Sequence, residues 1–181
     1  LFELKKYSKI PINLEMALTN EMIKIANKIN PKFICIVPEK RNEITTEGGL
    51  NLNKISQAKL KKLLKISGKK NIQLSAFITP TKKMINLAKN LGFDTVELHT
   101  GNLDKKITRK STINQINEMI EYAHFKKLIV NVGHGLNFKN IKFIKKRKYV
   151  DTVHVGHFII SEAIFISLIK TINIFRNLIK K

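Results

Sequence analysis

The sequence predicts a parallel α/β fold, and three observations carry that prediction. Short β-rich apolar runs alternate six times with longer stretches in which apolar residues recur at helical spacing. The apolar runs are nearly continuous, as expected of strands covered on both faces in a parallel sheet. The residues that break the apolar pattern are Glu15, Glu39, Glu97, His99, His134, His154 and His157, and all of them fall at the C-terminal ends of strands or just beyond.

The first strand falls on residues 10–16 (IPINLEM). Thr19 is placed to cap a helix running through Ile29, with Glu21 adding negative charge to its first turn. A second strand over 33–37 (FICIV) leads through a polar loop into a helix over 53–66, which Gly68 ends. Residues 72–78 form the third strand, and Pro80 opens a helix that stops near Gly92. The fourth strand is Thr95–His99, with its helix over 111–125. The fifth covers 128–132 and is followed by a short helix over 138–146; the sixth covers 150–155 and leads into one long closing helix over 157–178. No Pro/Gly/Ser-rich linker or low-complexity tract interrupts this order, so residues 1–181 read as a single domain.

Strict alternation leaves two architectures, an open doubly wound sheet and a closed barrel. An open sheet gathers its ligand at one switch point, usually with a glycine-rich turn after the first strand. No GxGxxG or P-loop pattern occurs here. A barrel builds its site from the C-terminal ends of several strands at once, which is how the unusual residues are distributed. The expected architecture is therefore a (β/α)8 barrel of which this chain carries six βα units.

Composition excludes several function classes. A single cysteine, Cys35, rules out an intramolecular disulfide and any metal site built on cysteine pairs, and fits a reducing cytoplasmic home. No apolar run approaches the roughly 20 residues of a membrane span, and LFELKKYSKI has no signal-peptide pattern. The chain opens on Leu1 rather than Met, and an upstream segment is expected. The net charge of +21 is nearly all Lys, with Arg only at positions 41, 109, 147 and 176. The Lys residues are spread along the chain and travel with Ile and Asn, the signature of AT-rich codon usage. Nucleic-acid readers favour Arg for base edges and stacking, so the charge argues for solvated helix surfaces rather than a nucleic-acid partner.

Four segments can carry chemistry. In Asn13-Leu14-Glu15-Met16-Ala17, a carboxylate inside an apolar strand is costly unless it is paired or functional; Glu15 is either a working group or half of a structural ion pair. Val37-Pro38-Glu39-Lys40-Arg41, with Thr45-Thr46-Glu47-Gly48-Gly49, is a polar loop able to surround a phosphate or sugar hydroxyls, or simply a solvated loop. In Val96-Glu97-Leu98-His99-Thr100-Gly101, Glu97 and His99 share one side of the strand, either as a converging acid–base pair or as a buried ion pair. Asn131-Val132-Gly133-His134-Gly135-Leu136 is echoed by His154-Val155-Gly156-His157, and Gly-His at a strand end before a helix suits phosphate binding and proton transfer near neutral pH.

Taken together, NLEMA (13–17), VPEKR (37–41) with TTEGGL (45–50), ELHTG (97–101), NVGHGLN (131–137) and VGHFIISEAIF (155–165) resemble the pyridoxine 5′-phosphate synthase family, in order and spacing, from one end of the chain to the other. The resemblance implies a TIM barrel that condenses 1-deoxy-D-xylulose 5-phosphate with 3-amino-2-oxopropyl phosphate to pyridoxine 5′-phosphate, phosphate and water. No metal or organic cofactor is implied, and the resemblance implies a cytoplasmic homo-octamer. By position, Glu15 corresponds to the general base, His134 to the proton donor and Glu97 to a carboxylate stabilising the transition state. Thr45 corresponds to a contact with the deoxyxylulose phosphate, and Gly135, Gly156 and His157 to the site of the amino-ketone and its phosphate. The resemblance also implies two βα units ahead of NLEMA, with residues 1–8 the tail of the second unit's helix, and a slightly short, Lys-rich loop over 102–109. A chain without those units reads alternatively as an inactive phosphate-binding relic or scaffold subunit.

Overall fold

The structure is a computed structural model that describes residues 1–38, 48–104, 110–144 and 146–180. Strands β1 (Asn13–Met16), β2 (Phe33–Ile36), β3 (Gln73–Ile78), β4 (Thr95–His99), β5 (Ile129–Gly133) and β6 (Thr152–His154) form one parallel sheet in chain order. The sheet is a curled half-barrel: side chains of β1 and β6, at its two ends, line the same cleft.

Its two faces differ in chemistry because strand residues alternate. The convex set, including Leu14, Ile34, Leu74, Val96 and Val132, is buried under the helices in one apolar core. The concave set carries Glu15, Cys35, Ser75, Glu97, Asn131 and His154, brought side by side by the register Glu15↔Cys35↔Ser75 and Glu97↔Asn131. This corrects the expectation of strands apolar on both faces: the inner face is polar and partly satisfied within itself. Gln73 Nε2 donates to Thr95 Oγ1 at 2.8 Å and Ser75 Oγ to the Ile34 carbonyl at 3.2 Å.

The helices follow from caps and apolar stripes. α1 (Phe2–Tyr7) precedes β1. α2 (Asn20–Ile29) is capped by Thr19, whose hydroxyl accepts from the Met22 amide at 3.1 Å, and buries Ile23, Ala26 and Ile29. α4 (Lys82–Asn90) starts at a second Thr cap, Thr81, two residues later than Pro80 alone would place it. α3 (Gln57–Lys70) runs through Gly68 rather than stopping there; its end is set by Asn71 in the left-handed region (φ 52°), as Asn30 (φ 49°) ends α2. At the end of α3, Asn71 does what the sequence reading expected of Gly68.

Two further departures lie near the C-terminus. The helix expected over 138–146 is replaced by two short 3₁₀ turns, Ile141–Phe143 and Arg147–Tyr149. The long closing helix is two helices, α6 (His157–Ile166) and α7 (Leu168–Ile179), broken at Ser167 (φ 75°, ψ 153°), whose side chain then caps α7. The 3₁₀ segment is held by Asn117 of α5 (Lys110–Phe125). Its Nδ2 donates to the carbonyls of Ile113 (2.8 Å) and Phe143 (2.7 Å), and its Oδ1 accepts from the Lys146 amide (2.9 Å). Asn117→Ala leaves two partners outside α5 unsatisfied, so a loss of about 2–3 kcal/mol is expected; a urea unfolding midpoint measures it.

Candidate active site

The C-terminal ends of the strands surround an open cleft of about 1210 Å³, lined among others by Glu15, Glu97, His134, Gly135, Gly156 and His157. The described residues to which the resemblance gave site roles therefore all line one cleft. Thr45, the Glu39–Arg41 group and the 105–109 part of the Lys-rich loop lie outside the described residues.

At the centre is Glu97 on β4, with 4% of its surface exposed. Its Oε2 lies 2.6 Å from His154 Nδ1 on β6 and accepts from the Cys35 thiol of β2 at 3.4 Å. Glu15 on β1 stands on the open side of the same group, and one donor atom from each of Glu15, Glu97 and His154 lies within 4.8 Å of the others. The Glu97–His154 hydrogen bond, with Glu15 beside it, accounts for this closeness as an acid–base cluster.

The electrostatics follow from this crowding. Burial raises the pKa of Glu15, the charge of Glu97 raises it further, and His154 offsets part of the rise. For His154, burial disfavours the charged ring, but the hydrogen bond and charge of Glu97, backed by Glu15, outweigh it and the pKa is raised. Burial, then the charge of Glu97, lifts the Cys35 thiol well above its ordinary range, so it stays protonated.

The second wall is the turn after β5. His134 adopts φ 75° and Gly135 φ 70°, a left-handed pair that is costly for His134. Thr100 holds it: its Oγ1 donates toward the carbonyls of Gly133 and His134, each 2.7 Å away, and its amide donates to Gly133 at 2.8 Å. Asn140 then bonds the Gly135 carbonyl (2.8 Å), and Asn137 reaches Asp104 (2.8 Å). The His134 ring stacks on His99 with centroids 4.7 Å apart, and Phe77 meets His99 edge-on at 5.3 Å. Burial first, then the neighbouring His134, lowers the His99 pKa to about 4, so this ring is neutral at physiological pH. Gly135 is required by packing as well as by φ: a Cβ there would stand 3.0 Å from Gly101 Cα. The third wall is the start of α6, where Gly156 provides no side-chain cap and the space beside its Cα is open.

The family described as pyridoxal phosphate biosynthesis protein PdxJ matches residues 1–181. The chain belongs to the PdxJ family. It is 42% identical over 182 residues to pyridoxine 5′-phosphate synthase of Prochlorococcus marinus (strain MIT 9215), covering 99% of this chain and 76% of that protein. The enzyme of the same name from Pelagibacter ubique (strain HTCC1062) is 42% identical over 185 residues (97% and 75% covered), and that of Ehrlichia canis (strain Jake) 39% over 175 residues (95% and 71%). The PdxJ chain also shares its fold with 3-hexulose-6-phosphate synthase (TM-score 0.67, 14% identity, 98% and 77% covered) and the tryptophan synthase alpha subunit of Campylobacter jejuni (TM-score 0.56, 19% identity, 87% and 61% covered). Those two likenesses bear on the fold alone.

Sequence reasoning passed over three contributors. His154 and His99 were visible as strand-end histidines, and His99 was placed beside Glu97, but neither was chosen as a site residue. The inward alternation of β6 is the signal that would have found His154. Cys35 carried no signal, since a buried thiol in an apolar strand looks like core.

Proposed function

We propose that this cleft performs the pyridoxine 5′-phosphate synthase reaction, condensing 1-deoxy-D-xylulose 5-phosphate with 3-amino-2-oxopropyl phosphate to pyridoxine 5′-phosphate, phosphate and water. The observation that carries the reading is the convergence of Glu15, Glu97 and His154 from three strands to within 4.8 Å, beside His134 in the same cleft. Ring formation through an imine, eliminations of phosphate and water, and an aldol-type closure moves a proton at each step. It therefore needs acid–base groups of differing proton affinity around one cavity.

In this reading Glu15, with its raised pKa and open position, takes the substrate proton. His134, fixed in an unfavourable backbone conformation against the neutral His99 ring, gives one back. Glu97 stabilises positive charge developing on the nitrogen-bearing intermediate. The uncapped start of α6, at Gly156 and His157, presents free amide N–H groups and the positive helix end to the amino-ketone's phosphate, with Gly135 keeping the opposite wall low. Thr45 contacts the deoxyxylulose phosphate. Closure as an eight-stranded TIM barrel, a single domain over 1–181, a homo-octameric assembly and a cytoplasmic location belong to the same proposal. No helix among the described residues is long and apolar enough to cross a membrane.

The test is direct. Supplied with both phosphorylated substrates and no added metal or cofactor, the protein forms pyridoxine 5′-phosphate, and His134→Ala lowers kcat by about 10²–10⁴-fold. Absence of product from the wild-type protein rejects the reaction; wild-type turnover by His134→Ala rejects the proton-donor role.

A further inference from the structure

His154 has no role in the family resemblance, yet it makes the shortest hydrogen bond of the site. Its Nδ1 lies 2.6 Å from Glu97 Oε2, and the two side chains are 16% and 6% exposed. The bond joins β6 to β4, strands that are not neighbours in the sheet, across the curled concave face. Glu15 comes to the same place from β1.

The surroundings of this group are otherwise neutral or more distant in role. β2 presents the protonated Cys35 thiol, 3.4 Å from the same carboxylate oxygen. β3 presents Ser75 and Phe77, and β5 presents Asn131 and Gly133. His134, His157 and Asp104 also line the cleft. Two carboxylates held this close repel one another and disfavour the ionised form of whichever is easier to protonate. Among the described residues of the inner cluster, His154 is the group that can carry the compensating positive charge.

We propose that His154 is a positioning residue for the reaction: its Nδ1–Oε2 bond fixes the Glu97 carboxylate, and its imidazolium offsets the repulsion between Glu97 and Glu15 so that Glu15 is free to accept a proton near neutral pH. This rests on the synthase reading. The direction of each pKa shift agrees with it, His154 being raised chiefly by Glu97 against its burial, and Glu15 being lowered by His154.

Two substitutions separate the bond from the charge. In His154→Asn the amide nitrogen takes the place of Nδ1 and keeps a donor without a charge. Loss of the cation raises the proton affinity of Glu15, so the acid limb of kcat/KM moves to higher pH. On that limb kcat/KM falls about tenfold, the equivalent of one pKa unit, while at alkaline pH it stays within about threefold of wild type and KM changes little. His154→Ala removes donor and charge together and lowers kcat at every pH in addition. An acid limb that does not move in either variant, or an equal loss at every pH in both, overturns the proposal in favour of a purely structural histidine.

A second measurement does not depend on turnover. In a proton NMR titration of the wild-type protein, the His154 ring titrates above the ordinary histidine range, and in Glu97→Gln its midpoint falls. An unchanged midpoint overturns the proposal. If the wild-type protein forms no product, the synthase reading fails while this titration still decides whether His154 and Glu97 are coupled.

Discussion

Glu15→Gln is expected to lower kcat for pyridoxine 5′-phosphate formation by about 10²–10⁴-fold, the usual contribution of a general base, with no loss of melting temperature. Gln has the shape of Glu but no proton affinity in the working range. Stability is retained because Glu15 stands on the open side of the cleft and because its charge sits beside that of Glu97. Removing it relieves repulsion, so the melting temperature stays constant or rises. The wild-type pH profile carries the same information. A base must be deprotonated to act, so activity falls as pH drops through its pKa. With that pKa raised from 4.5 by burial and by Glu97, the acid limb of kcat/KM lies above the ordinary carboxylate range. Chromatographic measurement of product across pH tests both statements, and a Glu15→Gln enzyme with wild-type turnover removes Glu15 from the mechanism.

Gly133→Ala is expected to damage both the site and the sheet beneath it. A Cβ at Gly133 would collide with Glu97 Oε1 and stand 3.0 Å from His154 Cβ. Glu97 cannot simply swing aside, because its other oxygen is held by His154 at 2.6 Å. Either the carboxylate leaves His154 or β5 shifts against β6, and both outcomes spoil the site. The expected result is a fall in kcat of about 10²-fold or more together with a loss of about 1–3 kcal/mol from overpacking. The cause can be isolated with a double mutant. In a Glu97→Ala background the collision is gone, so Gly133→Ala costs much less stability there than in the wild type. Additive losses in urea unfolding would show that the methyl group is harmful for some reason other than Glu97.

Most of the scaffold was legible because it depends on local rules. The Thr19 cap, the apolar stripe of α2 and the β4 segment Thr95–His99 follow from residue type and period alone. Glu97 and His99 on one side of β4 followed from alternation, and both face the concave side. What could not be read depends on partners far along the chain. Asn117 looks like an ordinary polar residue in a helix until Phe143 and Lys146 arrive to bond it. The break at Ser167 sits in a run of apolar helix formers without Gly or Pro, and only a left-handed φ at one serine reveals it. His154 looked like one more strand-end polar residue, because its partner lies 57 positions away on a strand it does not pair with. The polarity of the inner face was missed for a related reason: isolated Ser, Asn and Cys within apolar runs count as interruptions in sequence but as a continuous lining once six strands stand side by side.

The order of the strands has a consequence for how the protein comes into being on the ribosome. Each of β2 to β6 pairs with the strand made just before it, so each new βα unit finds its partner already waiting, and the sheet can grow by short-range steps as synthesis proceeds. The chemistry cannot accumulate in the same gradual way. Glu15 emerges with β1, Glu97 with β4 and His154 with β6, and no two of these strands are neighbours in the sheet. The scaffold is thus assembled by instalments, but the proton-handling group exists only once β6 has docked. A nascent or trimmed chain lacking β6 can be largely folded and still have no finished site.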